Sequence, residues 1–290
     1  NFSGRNASVV LYLGIFLIYL LSMLGNLTIV AVVCSAPRLH TPMYFFLCNL
    51  SIQDIVYASS VLPKLLVIQI TGDTRTSFLQ CFTQMFVFVA CVDTEFYLLA
   101  SMAVDRYIAI CMPLKYSTIM SKTMCTILAL ASWTSGLLSS LLFVILISHL
   151  SFCDSKHISR FFCDVKVLLK LSCSDVTLVK TMIFIELFTV GLLPLAMIVT
   201  SYSFIISIIL KIKTSARRKT VFSSCSSHLM VVFLFFGTSI SIYMKPDSES
   251  FTEVDMMLSL LYVAVVPALN PLVYSLRNRE VMKALSHLLT

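Results

Sequence analysis

Charge is scarce in this chain: of 290 residues, only 12% are Asp, Glu, Lys or Arg. A soluble domain of that length carries about a quarter. With 58% hydrophobic residues, too little polar surface remains to cover a core in water, so the composition implies lipid as solvent. Glycine is sparse too, at 7. No basic tract with interleaved aromatics accompanies the net charge of +7, which argues against nucleic acid as partner. The alternating periodicity of a membrane β-barrel is missing. No internal repeat with matching broken helices supports a transporter, the alternative from another class. No metal-ligand spacing or nucleophile constellation supports an enzyme; His228 stands far from any nucleophile. A cleavable signal peptide is also lacking, because the first apolar stretch is too long and has neither a basic start nor a cleavage site. It reads as a retained signal anchor, and the missing initiator Met as trimming of the chain.

What is present is a series of long apolar runs. About 20 mostly apolar residues cross the hydrocarbon of a bilayer as a helix. Seven stretches qualify, at 9–35, 42–70, 79–111, 123–148, 178–211, 217–244 and 254–275. The second and third do so despite Asp54, Asp93 and Glu95, and the fifth despite Glu186. The expectation is an all-α membrane protein, one seven-helix domain over 1–290. Residues 277–289 alternate basic and apolar side chains, as in a short amphipathic helix on the inner membrane surface.

Sidedness follows from Lys and Arg. With the N-terminus outside, the inner face holds twelve bases, Arg38, Arg106, Lys115, Lys122, Lys211, Lys213, Arg217, Arg218, Lys219, Arg277, Arg279 and Lys283, against Asp105 and Glu280. The outer face holds nine bases against eight acids. The sequons at Asn1 and Asn6 fall in the outer tail, where glycosylation is expected. Two more, at Asn26 and Asn49, lie inside predicted helices and should be silent.

Ten cysteines divide by compartment. Six lie in helices or on the inner side, where thiols stay reduced. Cys81, Cys153, Cys163 and Cys173 lie on the oxidising face, and four cysteines allow three pairings. Zinc is a rival reading, but their spacing fits no common finger.

Specific strings go further. Leu39-His40-Thr41-Pro42-Met43-Tyr44-Phe45-Phe46-Leu47 enters the second segment. Met102-Ala103-Val104-Asp105-Arg106-Tyr107-Ile108-Ala109-Ile110-Cys111 closes the third, and Ser201-Tyr202 marks the fifth. Ser223-Ser224-Cys225-Ser226-Ser227-His228-Leu229 opens the sixth, and Pro267-Ala268-Leu269-Asn270-Pro271-Leu272-Val273-Tyr274 lies in the seventh. Together they resemble the vertebrate odorant receptors, class II (terrestrial type), of the rhodopsin-like G-protein-coupled receptors, over nearly the whole chain. The resemblance implies disulfides Cys81–Cys163 and Cys153–Cys173. It also implies a small volatile ligand, a stimulatory olfactory-type G protein with cyclic AMP as output, and the plasma membrane of sensory cilia. The alternative within this architecture is a receptor for a non-odorant small molecule or amine.

Charges inside a bilayer are costly and are functional candidates by default. Asp54 and Glu95, with Asn26 and Asn270 as polar neighbours, form a candidate network. Two carboxylates in one interior repel unless a proton or cation intervenes, and the resemblance implies sodium at Asp54 and Glu95. For the switch and G-protein coupling the candidates are Asp105, Arg106, Tyr107, Tyr202, Lys219, His228, Pro271 and Tyr274. Arg106 would pair with Asp105 at rest and be freed, toward Tyr202 and the G protein, when the sixth helix swings out. Pro194, Pro267 and Pro271 supply places to bend. The ligand site implied by the resemblance lies in the outer half. Its candidates are Met85, Phe88, Val89, Val92 and Asp93, with Ile183, Glu186, Val190, Phe236, Ile240, Tyr243 and Val263, an apolar, aromatic and sulfur-rich lining. Asp93 and Glu186 are unusual in such a lining, and one of them is expected to contact a polar ligand group. Two departures from the family pattern stand out. Phe236 occupies the place of a usual Tyr, and Arg160 that of a His often found two residues before Phe-Cys-Asp, which disfavours a metal site in that loop.

Overall fold

A computed structural model of the protein describes residues 2–153, 162–243, 253–276, 281–284 and 286. Among the described residues the chain is helical almost throughout, apart from one isolated antiparallel bridge, Phe152 with Ser172. The long helices are α1 (Phe2–Ser35), α2 (Pro42–Thr71), α3 (Phe78–Cys111), α4 (Lys122–Ser148), α5 (Thr177–Lys211), α6 (Ser215–Tyr243) and α7 (253–276). Seven spans within them are long and apolar enough to cross a membrane. Asn1 and Arg160 lie outside the described residues, as do 277–280, 285 and 287–289 of the predicted amphipathic tail. The expected outer tail is already helical from Phe2, so Asn6 sits on the first turns of α1.

Local chemistry sets the helix ends. Ser77 and Gln80 form a reciprocal capping box at the start of α3, and Ser121 caps α4 by accepting from the Met124 N–H. Pro42 opens α2, where its missing N–H costs nothing. Gly72 closes α2 with φ 68°, a left-handed conformation that other side chains resist.

Two spans are interrupted by wide π turns, Leu187–Leu192 in α5 and Leu261–Val265 in α7. Pro194 and Pro267 follow directly. A helical proline collides with the carbonyl four residues earlier, and here those carbonyls, of Val190 and Val263, lie inside the widened turns. The proline is accommodated by enlarging the turn before it.

α3 is the axis of the bundle, touching α2, α4, α5 and α6. Of its most apolar window 83% is buried, against 17% for α5. The outer helices turn apolar side chains outward, such as Leu17, Leu210 and Phe233, a surface that lipid solvates and water would not. Close approach needs small residues. A Cβ on Gly136 of α4 would stand 2.5 Å from the Ala90 carbonyl oxygen of α3, and one on Gly25 of α1 2.7 Å from the Pro271 ring of α7. The Asn49 sequon is interior: its side chain bonds the Phe45 carbonyl and accepts from Trp133 Nε1 at 3.1 Å, joining α2 to α4. Outside the membrane, Cys81 is bonded to Cys163 and Cys153 to Cys173, with Cα separations of 5.3 and 5.8 Å. The first ties the outer loop to the top of α3.

Candidate functional site

The polar side chains of the interior fall into three groups along α3. In the first, Glu95 faces α2 and α7. Gln53 Nε2 donates to Glu95 Oε2 at 3.2 Å, and Asn270 Nδ2 donates to Asp54 Oδ2 at 2.9 Å. Asn26 Nδ2 donates to the Pro267 and Ser22 carbonyls, each at 3.0 Å. All five side chains are at most 2% exposed. Four acceptors, Asp54 Oδ1, Glu95 Oε1, Gln53 Oε1 and Asn26 Oδ1, meet no donor. Buried acceptors without partners are expensive, and this network holds four of them. Among the described residues no three of His, Cys, Asp and Glu gather at one point.

The second group lies on the other side of α3. Asp93 faces α4 and α5, where the Ser139 hydroxyl donates to Glu186 Oε1 at 2.5 Å and Asp93 itself interacts with both side chains. Below it, Tyr97 donates to the Thr189 carbonyl inside the wide turn of α5 at 3.0 Å.

The third group is at the inner end. Arg106 is ion-paired with Asp105, through Nε at 2.9 Å as well as through the terminal nitrogen. Tyr116, in the following loop, donates to Asp105 Oδ1 at 2.7 Å. Burial, and then the neighbouring carboxylate, hold the Tyr116 hydroxyl above the ordinary tyrosine range. About two turns above Arg106 on α3, at Leu99, His228 of α6 bridges three helices. Its Nε2 is 3.1 Å from the Leu99 carbonyl of α3, and its Nδ1 is 2.8 Å from the Tyr202 hydroxyl of α5. A carbonyl only accepts, so Nε2 carries the proton, and in the neutral ring Nδ1 accepts from Tyr202. Ser227 adds a bond from α6 to the Val273 carbonyl of α7 at 3.2 Å. Tyr107 packs its ring on Phe204, Tyr274 is buried, and Lys219 is exposed. Pro271 packs against Gly25.

The outer half has another character. Phe88 contacts Phe162 of the disulfide-anchored loop at 5.0 Å, Tyr57 at 5.4 Å and Tyr262 at 6.3 Å between ring centroids. Met85, Val89, Val92, Val190 and Val263 are buried nearby, and Phe236 lies edge-on to Phe96 at 4.9 Å.

The family model for olfactory receptors matches residues 15–290. The chain belongs to the olfactory receptor family. It is 41% identical to human olfactory receptor 2T3 over 98% of this chain and 89% of that protein. It is 44% identical to human olfactory receptor 5B12 over 94% and 87%, and 44% identical to rat olfactory receptor 1496 over 95% and 89%. It is therefore a rhodopsin-like G-protein-coupled receptor of the plasma membrane, crossing it several times, and an odorant receptor rather than an enzyme.

Within this olfactory receptor, most of the expected lining residues share one interior; Ile240 does not. It is 45% exposed, because the buried face of α6 runs through Phe235, Phe236, Ser239 and Ile242. A step of four from Phe236 lands Ile240 on the outward side. Ile183 and Glu186 are only half-buried, and the side chain of Tyr243 lies outside the described residues. The sequence reading missed Gln53, Ser139 and Tyr262. Gln53 had the clearest signal, being a buried amide beside Asp54, and intramembrane polar residues always need a partner. Tyr202, expected to meet Arg106 once the sixth helix has moved, has its hydroxyl held by His228 in this packing.

Proposed function

We propose that this receptor binds a small hydrophobic volatile molecule between α3, α5, α6 and α7, and activates a stimulatory olfactory-type heterotrimeric G protein, raising cyclic AMP. The observation that carries the reading is the Leu99–His228–Tyr202 bridge standing above the half-buried Arg106 and its buried partner Asp105. Both hold polar groups whose bonds close the inner end of the bundle, and each can be exchanged for bonds to another partner. Outward movement of α6 would carry His228 away from Leu99 and Tyr202, leaving Tyr202 to meet Arg106 and Arg106 to meet the G protein. A ligand drives this only by preferring the open packing, and each 1.4 kcal/mol of preference shifts the populations about tenfold. The wide turns before Pro194 and Pro267 put bendable segments in two of the helices that line the ligand site.

The first polar group fits a sodium ion, which the family implies. Hard oxygen donors suit a hard cation, and the donorless oxygens of Asp54, Glu95, Gln53 and Asn26 are such a set. These residues would hold the ion, which when bound supplies the positive charge that lets two acids share one interior. The Asn1 and Asn6 sequons would carry sugar on the outer side.

A cyclic AMP reporter in cells, screened against a chemically diverse volatile library, tests the reading. At least one compound should raise cyclic AMP in the native receptor and leave Arg106→Ala silent at equal surface expression. Activation that persists in Arg106→Ala would refute the switch.

A further inference from the structure

We propose that Asp93, Glu186 and Ser139 form a binding site for a ligand's primary ammonium group, which makes this a receptor for small aliphatic amines. The inference deepens the ligand-binding reading above and rests on it. Asp93 comes from α3, Ser139 from α4 and Glu186 from the last ordinary turn of α5 before its wide turn. The two acids interact directly and share the Ser139 hydroxyl. Two carboxyls in contact and largely out of water cannot both stay charged unless a proton or a counter-charge stands between them, and an ammonium group brings both. Neither of the ion pairs Arg75–Asp73 and Arg106–Asp105 reaches this group, and the groups that act on the two acids among the described residues are each other and Ser139.

A second observation points to a missing donor. Asp93 is only 4% exposed, yet its Oδ2 meets no hydrogen-bond partner. Ser139 lies against both acids and has a single proton to give, so it cannot satisfy both at once. The group therefore presents a surplus of acceptors, one of them buried and unused, and a net demand for positive charge. A primary ammonium carries three donors and one positive charge, and an aliphatic amine stays protonated at neutral pH, as lysine does with its pKa of about 10.4. An alcohol brings one donor and no charge, and a carboxylate brings neither. The neighbouring wall is apolar: Val89 lies one turn above Asp93, and Val190 one turn beyond Glu186, both buried. Asp93 lies twelve residues below the disulfide-bonded Cys81, about 18 Å down α3 at 1.5 Å per residue. That depth suits a short hydrocarbon tail rising toward the outer face.

The test uses the full-length receptor in two assays, with hexylamine as probe and hexanol and hexanoate as matched controls. In the first, the detergent-solubilised receptor is melted with each compound. Hexylamine is expected to raise Tm by about 3 °C or more, and the controls to leave it unchanged. The hexylamine shift should vanish in Asp93→Asn and in Glu186→Gln and survive in Asp93→Glu. Should Asp93→Asn not fold, Glu186→Gln and Ser139→Ala decide the matter, the latter with a weakened shift. In the second, cells carrying a cyclic AMP reporter receive the same compounds, and Glu186→Gln should cut sensitivity to hexylamine at least tenfold. Equal stabilisation by amine and alcohol, or an amine shift that survives in both neutral variants, would overturn the proposal. Activation by neutral volatiles with no response or stabilisation from hexylamine would overturn it too, while leaving the signalling reading intact. Stabilisation by hexylamine through Asp93 and Glu186 without any cyclic AMP would support this site and sink the signalling reading instead.

Discussion

Asp93 and Glu95 stand two residues apart on α3 and belong to different parts of the molecule. Two helical steps turn a side chain through about 200°, so Glu95 looks toward α2 and α7 and Asp93 toward α4 and α5. Glu95 accepts from Gln53 of α2, beside an Asp54 that accepts from Asn270 of α7, and each acid keeps one oxygen without a donor. Asp93 is met by a second acid and by one hydroxyl that both acids contact. The same residue class on the same helix thus makes a fully enclosed oxygen network on one side. On the other it makes a partly exposed acidic pair near the ligand lining. The cost of an acid in a membrane is common to both; what offsets it differs.

The comparison can be broken most forcefully at Gly136. Its added Cβ would meet the Ala90 backbone and Thr94 Oγ1 at 2.5 and 2.6 Å, atoms that cannot yield cheaply. Gly136→Val is expected to cost about 3 kcal/mol and to lower surface expression sharply. By displacing α4 it should abolish stabilisation by hexylamine in whatever protein folds. A second, smaller effect separates the two acids by ion. Replacing choline chloride with sodium chloride should stabilise the native receptor by about 1–3 kcal/mol, read as a rise in Tm. Asp54→Asn should erase that rise and Asp93→Asn should keep it. At the inner end, His228→Ala leaves the Leu99 carbonyl and Tyr202 hydroxyl without their partner. The resting packing should lose about 1–2 kcal/mol, measured as raised basal cyclic AMP with an unchanged sodium effect. The smallest effect belongs to an acid in water. Asp73 is paired with Arg75 at 3.0 Å on the surface, and its hydrogen bonds to Arg75 hold its pKa below the usual carboxylate range. Its contribution is therefore present above the unfolded carboxyl pKa and lost as pH falls through the lower folded value. Because the pair is fully exposed, Asp73→Asn should leave Tm at neutral pH within measurement error.

Much of this was legible beforehand, and for one reason. Asp54, Asp93, Glu95 and Glu186 interrupt runs that otherwise read as spanning helices, and an acid there must have a purpose. Which acid serves which purpose was not legible. Asp93 and Glu186 were marked as oddities of a ligand lining, while the hydroxyl that joins them, Ser139, looked like any polar residue of an apolar helix. Gln53 was hidden by the more conspicuous Asp54 beside it. Ile240 reads as part of the lining in the sequence, whereas the packed face of α6 runs through Ser239 and Ile242. In α5 the wide turn at Leu187–Leu192 lies between Glu186 and the buried Val190, and no run of apolar residues announces it.

By itself the amino-acid order determined seven crossings, their sidedness, the class of receptor and the presence of costly acids at mid-membrane. These depend on local hydropathy, loop charge and short strings, which need no knowledge of neighbours. Only the tertiary structure decided that Glu95 meets Gln53 and lies beside Asp54, that Asp93 meets Glu186, and that Tyr202 is held by His228. Those choices rest on the rotation of each helix about its own axis. Contacts such as Gly136 against Ala90 and the widened turns before Pro194 and Pro267 set that rotation, and no single segment contains them.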